Sequence, residues 1–98
     1  MLDFYLIKDD QSKPSYPEQE DLEFITGLDF NTFDSLINKG IIDSNFDYYS
    51  DFRWSFDLIK QINLKVLKSK KTDTDFDKLN LIIKRSLKLK CGIIAYCD

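Results

Sequence analysis

Two stretches at the ends of the chain have the hydrophobic pattern of β-strands. Leu2–Ile7 is rich in aromatic and branched residues with imperfect alternation, which indicates a largely buried strand. Cys91–Cys97 is a continuous apolar run of strand length, typical of a strand that is covered on both faces. We therefore predict that the two terminal strands lie side by side in the middle of a small sheet.

Three segments between these strands have helical periodicity, with apolar residues every three or four positions; they span 30–37, 58–66 and 76–87. The first helix is expected to be capped by Asp29 or Asn31 and to stop at Gly40. The second should begin after an N-cap at Ser55, and Leu67 should extend its apolar stripe. Thr74-Asp-Phe-Asp77 resembles a capping box that opens the third helix.

The remaining segments contain turn chemistry or short extended runs. Residues 8–19 are rich in Asp, Ser and Pro, which predicts a long and mobile loop. Leu22–Ile25 favours a second strand ended by Gly27, although a helix that begins near Pro17 is an alternative. Phe52–Trp54 reads as extended, and residues 70–73 as a turn.

Together these elements predict an α+β fold, a single domain over residues 1–98 in which a small sheet including the N- and C-terminal strands packs against about three helices. Apolar residues make up 43% of the chain, enough for a core without disulfides. No apolar run is long enough to span a membrane, and no basic segment precedes the first apolar stretch, so we expect a cytoplasmic protein without membrane contact. Cys91 and Cys97 would lie roughly 20 Å apart along a strand, too far to bridge.

The residue types that carry most active-site chemistry are missing or scattered. The chain has no histidine, only two cysteines and three separated glycines, which argues against an acid–base enzyme, a zinc site and a phosphate-binding loop. Two triplets of Asp or Asn residues copy the start of a calcium loop but lack its glycine and its closing glutamate: Asp43/Asn45/Asp47 and Asp73/Asp75/Asp77. We therefore expect no enzymatic activity, no metal and no cofactor.

The charge is unevenly distributed along the chain. Residues 1–59 hold thirteen acidic and four basic residues, a net charge of −9, whereas residues 60–98 hold four and ten, a net charge of +6. The pI of about 4.9 makes nucleic acid an improbable partner. A regulator that uses the lysine-rich C-terminal helices to reach nucleic acid is nevertheless kept as an alternative.

The densest group of recognition-type side chains lies between Asp43 and Trp54. Tyr, Trp and Arg dominate binding hot spots because they bury a large area and keep a polar group, and nearby carboxylates would suit a basic partner. The predicted partner-binding residues are Asp43, Asp47, Tyr48, Tyr49, Asp51, Arg53 and Trp54. The alternative is that Phe46, Phe52 and Trp54 anchor the core while Asp51 pairs with Arg53 or caps a turn.

Four motifs of the chain are similar to small bacterial proteins that act as immunity proteins against polymorphic or contact-delivered toxins: Gly27–Phe30, Gly40–Ser44, Phe46–Trp54 and Cys91–Asp98. The resemblance implies a non-enzymatic inhibitor that binds a toxin domain and occludes it. The acidic first half agrees with this, since carboxylates can occupy the phosphate positions of a basic nuclease cleft. A phage- or plasmid-encoded inhibitor of a host defence complex would share these features.

Overall fold

The computed structural model describes residues 1–69 and 74–97 of the chain. Within these residues, four strands, a 3₁₀ helix and three α-helices follow one another: β1 (Leu2–Ile7), the 3₁₀ helix (Pro17–Glu20), β2 (Phe24–Leu28), α1 (Phe30–Asn38), β3 (Phe52–Trp54), α2 (Phe56–Lys68), α3 (Asp75–Leu89) and β4 (Gly92–Cys97). The strands form one antiparallel sheet that packs with the three α-helices. The predicted α+β fold is confirmed.

The two terminal strands form the centre of the sheet. The strand order is β2-β1-β4-β3, and β1 pairs with β4 over its whole length, from Leu2 opposite Cys97 to Ile7 opposite Gly92. This confirms the predicted pairing. Because central strands are covered on both faces, both can be apolar without strict alternation.

One face of the sheet packs against the helices and holds most of the core. On this face, alternate residues of β1 and β4 pack against buried side chains of α2 and α3. The strand residues are Leu2, Phe4, Leu6, Ile93 and Ala95, and the helix residues are Ile59, Ile62, Leu79, Ile82 and Ile83. Each of these helices therefore buries one apolar stripe and leaves its lysines in water.

The opposite face of the sheet is covered by residues 8–23, which we call the strap. Beneath it lie Ile7, Ile94 and Tyr96, with Leu22 of the strap packed against them. The Tyr96 hydroxyl donates a 2.8 Å hydrogen bond to the carbonyl oxygen of Pro14, which is itself buried. The segment expected to be a mobile loop is thus docked on the sheet.

Several helix-terminus predictions are confirmed. Asp29 caps α1 by accepting a hydrogen bond from the Thr32 backbone N–H at 2.8 Å, and Ser55 caps α2 through Leu58. Gly40 adopts a left-handed φ of 74°, as a helix stop requires.

Other local predictions need correction. The strand predicted at Leu22–Ile25 is present but spans Phe24–Leu28, so Gly27 lies inside β2 instead of ending it; a Cβ at Gly27 would clash with the Met1 side chain. The alternative of a helix that begins near Pro17 also holds in part, because Pro17 opens the short 3₁₀ helix. Leu67 points to water with 71% exposure, so it does not extend the buried stripe of α2. Thr74 has helical backbone angles and makes no side-chain capping bond with the described residues, so the capping box is wrong. The turn predicted at 70–73 lies outside the described residues.

Candidate functional site

The loop between α1 and β3 is shaped by two aspartates of the predicted binding stretch. The Asp43 carboxylate accepts a hydrogen bond from the Asn45 backbone N–H at 2.9 Å, and Asp47 accepts from the Tyr49 N–H at 3.0 Å. These local bonds are the Asx turns that favour aspartate in loops. Both carboxylates remain exposed, so each retains acceptor capacity for a partner.

The aromatic residues of this loop pack against the start of α1. Tyr49 is 69% exposed and stacks on Phe30, with ring centroids 6.1 Å apart and an interplanar angle of 26°. Tyr48 is half-buried and meets both rings edge-on, at 5.5 Å from Phe30 and 5.1 Å from Tyr49. Burial raises the pKa of the Tyr48 phenol, and the Asp29 charge adds to that shift.

A cleft of about 240 Å³ opens between α1 and this loop. We call it the α1 cleft; its lining includes Phe30, Asp34, Ile37, Phe46, Asp47 and Tyr49. Four of the predicted residues, Asp43, Asp47, Tyr48 and Tyr49, thus belong to the loop that forms one wall. Their role in binding a partner stays a prediction.

Trp54 lies in the core and not on the surface. Its side chain is 1% exposed, and its ring packs 5.3 Å from Phe4 and 5.5 Å from Phe52. Its placement on a contact surface is therefore wrong. The alternative interpretation as a core anchor is confirmed, with Phe46 and Phe52 packed against the core and partly buried.

Arg53 and Asp51 face the strap and hold it in place. The Arg53 guanidinium donates hydrogen bonds to the carbonyl oxygens of Gln11 at 2.7 Å and Lys8 at 3.0 Å. Asp51 forms a 3.2 Å ion pair with Lys13 and accepts the Cys97 backbone N–H at 2.9 Å. The partner of Asp51 is thus Lys13 and not Arg53. The structure gives both residues a fastening role that the sequence did not indicate.

The strap displays a concentration of carboxylates that the sequence analysis did not select. Six acidic residues lie within residues 8–23 against two lysines, and all six are exposed: Asp9, Asp10, Glu18, Glu20, Asp21 and Glu23. Asp9 accepts the Phe56 N–H at the start of α2, and Glu23 pairs with Arg85. The other four form no salt bridge with another described residue. The high number of acidic residues in this short segment could have indicated an acidic surface, but its Asp and Pro residues were interpreted as turn-forming.

The helices on the other side of the sheet carry the positive charge. Six lysines of α2 and α3 are exposed: Lys60, Lys65, Lys68, Lys78, Lys84 and Lys88. Because the sheet lies between the helices and the strap, the charge asymmetry of the sequence becomes an asymmetry between two faces of the fold.

Within residues 1–69 and 74–97, no group of three or more His, Cys, Asp or Glu side chains is placed to hold a metal ion. Cys91 and Cys97 do not form a disulfide bond, and both are partly exposed. No helix in this part of the chain is both long enough and apolar enough to cross a membrane.

The fold is similar to that of a solved structure. No protein-family model matches the chain, and no curated protein is significantly similar to it. The structure of the Neisseria DNA mimic protein DMP12 superposes with a TM-score of 0.65 over 97% of each chain, at 18% sequence identity. At this identity the likeness establishes a shared fold.

Proposed function

We propose that this protein is a non-enzymatic inhibitor that binds the nucleic-acid-binding surface of a basic partner protein. The observation that carries this proposal is the strap, where Asp10, Glu18, Glu20 and Asp21 are exposed and form no salt bridge with the described residues. Their charge is available to a partner, while the exposed lysines of α2 and α3 lie on the opposite side of the sheet.

Carboxylates can replace phosphates because a nucleic-acid-binding protein recognises the backbone mainly through its negative charge. A cleft lined with Lys and Arg attracts any array of anionic oxygens at comparable spacing, and the attraction speeds association. The strap provides four exposed carboxylates that form no salt bridge with the described residues.

The strap is also held in a defined shape. Arg53 binds two of its carbonyl oxygens, Tyr96 binds the carbonyl of Pro14, and Asp9 binds the first turn of α2. A charged surface that is already ordered loses less conformational entropy when a partner binds. Such ordering suits recognition better than a flexible acidic loop would.

The fold comparison supports the same class of function. The Neisseria protein of similar fold is named a DNA mimic, and an acidic face provides a physical basis for that role in this chain. The absence of histidine from the sequence agrees with a binding function.

The narrower form of the proposal is an immunity protein that occludes a toxin domain, with a basic nuclease as the target. An inhibitor of a host defence complex is the alternative within the same class. The two share the acidic surface and differ in the identity of the protein that is bound.

The test is capture of the partner by the tagged protein from the lysate of its source organism, followed by release with duplex DNA. Duplex DNA should release the captured protein, since both ligands would occupy one basic surface. A variant that neutralises two strap carboxylates, Glu18→Gln with Glu20→Gln, should slow association by about tenfold.

The matched control removes two carboxylates from the helix side, Asp57→Asn with Asp77→Asn, and changes the net charge equally. It should retain nearly wild-type association. A captured protein that DNA does not displace, or equal effects of the two double variants, would overturn the proposal.

A second candidate function is a nucleic-acid-associated regulator, favoured by the exposed lysines of α2 and α3. It predicts that the purified protein binds duplex DNA at low salt and that affinity falls steeply as salt rises. The inhibitor proposal predicts no such binding. A gel-shift titration of the wild-type protein separates the two.

A further inference from the structure

We propose that the α1 cleft binds an arginine side chain of the partner protein. The inference rests on the proposed function in one respect, the expectation of a basic partner. Its evidence is separate, because the cleft is formed by α1 and the 43–51 loop and contains no residue of the strap.

Two of the aromatic rings that line the cleft are largely exposed. Phe30 is 45% exposed and Tyr49 69%, although both lie within packing distance of other aromatic rings. Aromatic faces carry partial negative charge, and a cation placed over them is attracted. The exposed ring surfaces therefore offer contact area and a preference for positive charge together.

Two carboxylates complete the lining. Asp34 contributes from α1 and Asp47 from the facing loop. Asp34 accepts a 3.4 Å hydrogen bond from the Asn38 amide, and Asp47 is bonded to Tyr49 N–H and to the Ser50 hydroxyl. All of these donors are neutral. Among the described residues neither carboxylate has an ion pair, so the negative charge at the cleft is not neutralised locally.

The chain places its own cations over other rings. Lys13 lies over Tyr96, Lys39 over Phe76 and Lys60 over Phe56. In the part of the chain that the structure describes, no such pair involves Phe30, Tyr48 or Tyr49. The cleft therefore combines aromatic and anionic surface that a cation from outside could occupy.

Arginine fits this combination better than lysine. Its planar guanidinium stacks on aromatic faces and can donate to two carboxylates at once, and it is less strongly hydrated than an ammonium group. Nucleic-acid-binding surfaces are rich in arginine, which links the cleft to the partner chemistry proposed above.

The test is an NMR titration of the isotope-labelled full chain with the peptide acetyl-Gly-Arg-Gly-amide. Matched peptides with lysine, or with the neutral isostere citrulline, replace the arginine. We expect saturable shifts at the amides of Phe30, Tyr48 and Tyr49 with the arginine peptide, weaker ones with lysine and none with citrulline.

Three variants assign the effect to the cleft. Tyr49→Ala removes an exposed ring and should weaken binding of the arginine peptide by about fivefold, the scale of one cation–π contact. Tyr49→Phe keeps the ring and should restore it, and Asp34→Asn should weaken binding through the lost charge. Equal shifts with citrulline, no saturation, or no effect of Tyr49→Ala would overturn the proposal.

The result of this titration is independent of the partner-capture experiment that tests the strap. Arginine binding at the cleft combined with a partner that DNA does not displace would retain the cleft and reject the proposed function. Displacement of the partner by DNA, with no arginine binding at the cleft, would retain the proposed function and reject the cleft.

Discussion

The guanidinium of Arg53 donates a 2.7 Å hydrogen bond to the backbone carbonyl oxygen of Gln11, 42 residues earlier in the chain. This bond joins the edge strand β3 to the strap that covers the outer face of the sheet. Together with the bond from Arg53 to Lys8, it fixes the acidic segment on which the proposed function depends. Arg53, which the sequence predicted as a partner-binding residue, thus holds the acidic strap in place.

Replacing Arg53 by Ala should loosen the strap. Hydrogen bonds from charged donors contribute about 1.5–3 kcal/mol each, and because Arg53 is only half-buried we expect a total loss near the lower figure in the free energy of unfolding. Hydrogen exchange of the strap amides should accelerate more than that of β1 and β4. Lys60→Ala, which removes an exposed pair with Asp57 within α2, is the control and should cost less than about 1 kcal/mol. Unchanged exchange in Arg53→Ala would contradict the fastening role.

Truncating Trp54 to Ala should destabilise the protein by about 3–5 kcal/mol, because it opens a cavity in the core. Trp54→Phe should cost less, since it keeps a ring and removes an indole N–H that has no partner among the described residues. Urea unfolding of the two variants measures both effects. If Trp54→Ala were as stable as the wild-type protein, the indole could not be the core anchor described above.

Tyr96 should make the fold sensitive to alkaline pH. Burial raises the pKa of its hydroxyl above the ordinary value of 10.0, and the Asp51 charge adds to the shift. A raised folded-state pKa means that this contribution is fully present below the unfolded pKa and is lost as the pH rises through the folded value. Urea unfolding across that range should show stability falling above about pH 10.

The matched variants for this prediction are Tyr96→Phe and Tyr16→Phe. Tyr96→Phe loses the hydrogen bond to Pro14, about 1 kcal/mol at neutral pH, and its difference from the wild-type protein should shrink under alkaline conditions. Tyr16 is an exposed tyrosine of the strap, and its variant should follow the wild-type curve. A difference for Tyr96→Phe that stayed constant with pH would exclude this explanation.

Removing the N-cap of α2 should weaken that helix. The Ser55 hydroxyl oxygen accepts the Leu58 N–H at 3.1 Å, and Ser55→Ala should lower the free energy of unfolding by about 1 kcal/mol. Ser12→Ala, an exposed serine of the strap, should change stability by less than about 0.5 kcal/mol. Equal urea midpoints for the two variants would show that the cap does not contribute.

Local sequence patterns were sufficient to predict most of the strands and helices and the central position of two strands in the sheet. The continuous apolar run at 91–97 and the imperfectly alternating run Leu2–Ile7 predicted β4 and β1 at the centre of the sheet, because strands covered on both faces can omit strict polar alternation. Helical spacing and the caps at Asp29, Gly40 and Ser55 located the helices, because these signals act over a few residues.

Which of the large side chains are exposed depends on packing between distant parts of the chain. Trp54 and Tyr49 are both large aromatics of one loop-and-strand segment, yet one is buried and the other exposed. Their difference depends on contacts with Phe4 and Phe30, which lie far away in sequence. The composition of this segment therefore indicated residue types suited to binding, but it did not show which aromatic side chains anchor the core and which are exposed to a partner.

The acidic face likewise arises from packing. The strap docks because Arg53 of β3, Tyr96 of β4 and Phe56 at the start of α2 form hydrogen bonds with Gln11, Pro14 and Asp9, and each of these bonds joins positions more than 40 residues apart. Local sequence rules do not encode such distances, so residues 8–19 were predicted as a mobile loop. The linear charge asymmetry was visible in the sequence, but its conversion into two opposite faces required the sheet between them.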